Sequence, residues 1–196
     1  MLSIGKTEIK FDFTFFAVVG LLVFIDTSGT ATLSLIASLT HEAGHLIAML
    51  MCKSKLSCIT FYGGGINIVS DIATLTFWKR LFIMLSGCFV NFLIFIIGTY
   101  FFSDNQKIMI FAVVNLVICI FNLIPVGYFD GARILDILFN RFLNFRASEI
   151  LKRIISIFFS VIVVTLTLIY CFIYKGNVSL SFLFVVFYLI LAQFVG

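Results

Sequence analysis

Charge is what this chain has least of. Asp, Glu, Lys and Arg make up 11% of its 196 residues, where a soluble domain carries about a quarter. Too few charges remain to coat a surface in water, so a soluble globular domain is excluded. The net charge of +4 is too small and too dispersed for a nucleic-acid partner. Repeats of the kind that build collagen or coiled coils are missing, and a hydrophobic content of 62% excludes disorder. The five cysteines, Cys52, Cys58, Cys88, Cys119 and Cys171, form no CxxC pair and mostly sit in apolar stretches, where a thiol behaves as a small hydrophobe. We expect neither disulfides nor a sulfur-ligated metal. Histidine is rarer still, with two in the whole chain.

What the chain does have is apolar sequence in long runs. A helical span takes about 20 apolar residues, and runs lie at 11–25, 31–51, 81–102, 107–124, 154–174 and 178–195. They predict an all-α polytopic membrane protein with six transmembrane helices, a single membrane-embedded domain over 1–196 surrounded by the lipid bilayer. If the chain crosses six times, one side receives Lys6, Lys10, Lys53, Lys55, Lys79, Arg80, Arg133, Arg141, Arg146, Lys152 and Arg153, and the other only Lys107 and Lys175. The positive-inside rule then puts both termini in the cytoplasm.

Two connections on that side are more than tight turns. Between Cys52 and Arg80, β-branched and aromatic residues flank Gly63, Gly64 and Gly65, which predicts a re-entrant, β-hairpin-like segment. After Pro125, the only proline, an irregular stretch leads into a short amphipathic helix around 132–142, where Arg133 and Asp136 are expected to pair.

The chemistry starts in the second run, at Thr40-His-Glu-Ala-Gly-His45. His41 and His45 fall on one face of a helix and can offer imidazole nitrogens to one metal ion, with Glu42 beside them: the HExxH signature of zinc-dependent hydrolysis. Ser34 and Ser38 continue the face as a polar stripe. Two histidines and a glutamate within an apolar span cost several kcal/mol unless paired, metal-bound or facing water. Zinc needs a third protein ligand and a fourth position for water, and with no third histidine the ligand is an acid or a cysteine. Position leaves Asp71, Asp130, Asp136 and Glu149. Asp130 follows Pro125 closely enough for non-helical backbone to return it to the metal; equally, it fits as the N-cap of a helix beginning at Gly131.

The order His41-Glu42-x-x-His45, then Asn122-x-x-Pro125-x4-Asp130-Gly131, resembles the site-2 proteases, intramembrane zinc metalloproteases. Gly87-x3-Asn91 is similar to the Gly-x3-Asn element of that family's intervening helix, without its frequent proline, and Phe61-Tyr-Gly-Gly-Gly to its glycine-bearing re-entrant region. The six-span layout is similar to the family's compact, sporulation-type branch; no PDZ or CBS domain is expected.

The resemblance implies one Zn²⁺ per chain held by His41, His45 and Asp130, with Glu42 as general base and then acid. It further implies a membrane-protein substrate cut in or near a transmembrane segment, and a multi-pass location in a bacterial cell membrane. Asn122, Pro125, Gly131, Gly63, Gly64, Gly65 and Asn91 are expected to support the site or bind substrate; for Asn91, an interhelical hydrogen bond is the competing role. A non-catalytic adaptor on the same fold and a metal or proton transporter are the other readings. The first is opposed by the intact Glu42, the second by the single histidine pair.

Overall fold

The computed structural model describes residues 2–4, 7–26, 28–63, 65–127 and 129–173. The chain divides into two compact units, Met1–Ile120 and Phe121–Gly196, taken in turn.

In the first unit, β1 (Leu2–Ile4) and β2 (Thr7–Phe11) run into α1 (Phe13–Ile25). The carboxylate of Asp12 accepts the Thr14 backbone N–H at 2.9 Å and starts the helix. Then α2 (Thr30–Met51) returns. Its start is secured by Asp26, whose side chain accepts from the Thr32 N–H at 2.9 Å and hydroxyl at 3.0 Å. That backbone hydrogen bond holds the Asp26 carboxyl at about 2. A left-handed Lys53 (φ 58°) ends α2. The Ser54 N–H bonds to the Met49 carbonyl at 2.9 Å and the Lys53 N–H to that of Leu50 at 3.0 Å, a Schellman closure that turns the chain into β3.

The predicted hairpin is β3 (Leu56–Tyr62) and β4 (Gly65–Ser70). Tyr62 pairs with Gly65, leaving a two-residue tip, and Gly65 sits at φ +131°, where a side chain is disfavoured. Gly64 lies outside the described residues. The hairpin is half of a four-stranded sheet, ordered β1-β2-β3-β4, with β2 parallel to β3. The chain is mostly helical as expected, and the expected hairpin is enlarged by β1 and β2. Thr7-Glu-Ile-Lys-Phe11 does alternate, but five residues leading into an apolar helix read equally as that helix's flank. Because β2 pairs with β3, the N-terminal segment and the connection after α2 lie at the same end of α1 and α2. Phe61 stacks on Phe11 with ring centroids 4.7 Å apart.

Next, α3 (Phe77–Phe101) and α4 (Gln106–Leu123) form an antiparallel pair. A Cβ on Gly98 would stand 2.7 Å from that of Ala112; small residues let membrane helices approach closely. Among the described residues three helices, α2, α3 and α4, are long and apolar enough to cross a membrane; six spans are not what they carry. The first predicted span is helical, but the 13 residues of α1 reach only about 20 Å, short of the roughly 30 Å hydrocarbon core. The predicted run at 178–195 lies outside the described residues.

In the second unit, the chain leaves α4 through an irregular turn with Gly127 at φ 56°. Val126, fully buried, packs on Ile124, Phe129 and Val163. The amphipathic helix is α5 (Asp130–Phe142), followed by α6 (Phe145–Ile173), which carries the predicted run from 154 as far as the described residues go. Asp136 pairs with Lys152 at 2.7 Å, and Lys152 with Glu149 at 2.6 Å. The partner of Asp136 is thus not the expected Arg133, because α6 brings an ammonium to it from another helix.

Candidate metal centre

The site is built where α2 crosses α3. Gly44 faces Gly87: a Cβ on Gly44 would stand 2.9 Å from the Ser86 carbonyl oxygen and 3.1 Å from the Gly87 Cα. With both side chains missing, the backbones approach until the two histidine rings of α2 lie against α3. His41 is 2% exposed and His45 5%, and their Nε2 atoms are 3.2 Å apart. A Cβ on Gly87 would stand 2.8 Å from His41 Nε2, and it would press on His45 Nε2 as well. Gly87 is therefore the floor of a cradle that any side chain fills.

One hydrogen bond fixes the chemistry of this pair. His45 Nδ1 lies 2.7 Å from the Ile83 carbonyl oxygen, which can only accept, so Nδ1 carries the proton and Nε2 presents its lone pair. A second ring nitrogen bonded to a backbone carbonyl is how metal-ligating imidazoles are usually oriented. The Ser86 hydroxyl donates to the same carbonyl at 2.7 Å. Two nitrogens at about 2.0–2.1 Å on one tetrahedral zinc lie roughly 3.3–3.4 Å apart. The observed 3.2 Å fits that requirement, and the donor set suits zinc. Glu42, between the two histidines, is half-buried.

The other sequence motif is assembled within the second unit. Asn122 is in the last turn of α4, Pro125 follows it, and Asp130 is the first residue of α5, 6% exposed. Asp130 is not the N-cap: Phe129 holds that position and no side chain caps the helix. Gly131 is obligatory for packing, since a Cβ there would overlap the Leu123 carbonyl and stand 2.9 Å from the Ile124 carbonyl carbon. It lets α5 begin directly against the end of α4.

Residues 105–166 match the family described as peptidase family M50. No curated protein matches the chain. Among solved structures, the site-2 protease from Methanocaldococcus jannaschii superposes with a TM-score of 0.64 at 22% identity, over 98% of this chain and 94% of that one. The family match spans about a third of the chain, and the superposition shows a likeness of fold.

Three of the four acids that position left open are engaged elsewhere. Asp71 accepts from the Ser54 hydroxyl and the Lys55 N–H, both at 2.8 Å, and the Ser54 bond first of all holds its carboxyl below the usual range. Asp136 and Glu149 are committed to Lys152. Of the glycines, Gly63 donates its N–H to Thr14 Oγ1 at 3.0 Å and seats the hairpin tip on α1. Asn91 is fully buried, and among the described residues neither amide atom has a hydrogen-bond partner. The expected interhelical bond is therefore not formed there. The polar stripe continues only in part, since Ser34 returns its hydroxyl to the Thr30 carbonyl at 2.9 Å.

Gly87, Ser86 and the Ile83 carbonyl received no role from sequence. One signal was available: a glycine within a 25-residue apolar helix costs about 1 kcal/mol against alanine and calls for a packing reason.

Proposed function

We propose that the protein is a zinc-dependent intramembrane endopeptidase that hydrolyses peptide bonds in or near transmembrane segments of membrane-protein substrates. The observation that carries the reading is the buried pair of Nε2 atoms, 3.2 Å apart, with one ring aimed by a backbone carbonyl, inside an apolar helix pair. His41 and His45 would hold the ion. Asp130 completes the protein ligands on the strength of its sequence motif, supported by its burial and by the engagement of the other acids. An ion bound there supplies positive charge that polarises a peptide carbonyl and acidifies water. Glu42 receives the proton from the attacking water and delivers it to the leaving amine. Asn122 and Pro125 shape the segment leading to Asp130. Both termini are assigned to the cytoplasmic side by the lysine and arginine distribution.

Zinc quantification tests the ligand set. The purified protein is expected to carry about one zinc, and His41→Ala and Asp130→Ala to lose it together with cleavage of a single-span substrate. Zinc held in full by Asp130→Ala would remove Asp130 from the set.

A transmembrane helix hides its peptide groups in its own hydrogen bonds, so the substrate must be held extended before attack. The edge strand β4 has backbone groups suited to that by strand addition. Gly65→Val puts a β-branched residue at φ +131° and distorts the start of that edge. It is expected to slow cleavage or move the cut while zinc content stays unchanged. An unaltered rate and cut position would remove the strand from the mechanism.

A further inference from the structure

We infer that Cys88 is a sulfur donor to the metal ion held by His41 and His45. The inference rests on the proposed metal centre and adds a ligand to it. Cys88 follows Gly87, the residue whose missing side chain lets α3 lie against both imidazoles, so the turn that packs on the histidine pair also carries a thiol. Its Sγ lies within 4.8 Å of a ring nitrogen of His41, and the residue is 4% exposed. The thiol donates to the Cys119 carbonyl over 3.8 Å, a weak tether for a weak donor.

A nitrogen at about 2.0–2.1 Å and a sulfur at about 2.3 Å on one tetrahedral zinc lie roughly 3.5 Å apart. The present separation from His41 is at most 4.8 Å, so coordination draws the sulfur closer to the ring. Thiolate is a soft donor, and with imidazole it selects zinc over magnesium or calcium. On coordination the S–H bond breaks, sulfur keeps the electron pair and shares it with the ion, and the proton passes to water. Sulfur then stands beside the two imidazoles as a further donor from the first unit.

X-ray absorption at the zinc edge on the purified full chain, loaded with zinc in detergent, tests this. The expected first shell holds about one sulfur at about 2.3 Å, lost in Cys88→Ala and in the closer-sized Cys88→Ser and kept in Cys119→Ser. Bound zinc with only nitrogen and oxygen neighbours in the unsubstituted protein overturns the inference and leaves the metal centre standing. A sulfur shell that survives Cys88→Ala also overturns it. Failure of the unsubstituted protein to bind zinc removes the metal centre and this inference with it.

Discussion

Glu42→Gln is expected to lower cleavage of a single-span substrate by about 10²–10⁴-fold, the range set by loss of a positioned general base and acid, while zinc stays bound at the unsubstituted level. The amide keeps the size and the hydrogen-bonding reach of the carboxylate but cannot take up a proton. Glu42 lies between His41 and His45 on α2 and is half-buried, so the exchange leaves the packing of α2 on α3 undisturbed. Metal content and rate are therefore predicted to separate, whereas in His41→Ala they fall together. An unchanged rate would return the chain to the adaptor reading, in which the carboxylate has no chemistry to do. Loss of zinc along with the rate would make Glu42 a ligand instead of a base.

Local signals carried much of this site. His41, Glu42 and His45 could be read because their spacing matches one helical turn and because such groups are expensive in an apolar run. The helices α2, α3 and α4 followed from run length alone, and the hairpin from its glycines. The parts that escaped depend on contacts between distant segments. Pairing of β2 with β3 joins residues about fifty positions apart, Glu8 with Cys58 for example, and nothing within either strand announces the other. Lys152 reaches Asp136 only because α6 packs on α5. Asp130 looked equally suited to capping until Phe129 proved to hold the N-cap position.

Gly87 shows the same limit most directly and yields the second large effect. Gly87→Ala is expected to weaken zinc binding while leaving the helices folded. The added Cβ would stand 2.8 Å from His41 Nε2 and closer still to His45 Nε2, well inside van der Waals contact. His45 cannot swing away without giving up its 2.7 Å bond to the Ile83 carbonyl, and His41 cannot without widening the 3.2 Å gap between the two nitrogens. Overpacking of this kind costs about 1–3 kcal/mol, and here the cost falls on the two atoms that must converge on one ion. Converted at 1.4 kcal/mol per factor of ten, that is roughly a 5- to 150-fold loss of zinc affinity, with cleavage falling in parallel. Circular dichroism should show the helical signal unchanged, since alanine is the better helix former. Gly98→Ala supplies the contrast, because its added Cβ meets Ala112 instead of a histidine: it should disturb the approach of α3 to α4 and leave zinc affinity close to that of the unsubstituted protein. Full zinc affinity in Gly87→Ala would mean that the imidazoles do not meet the ion through the nitrogens that face this glycine.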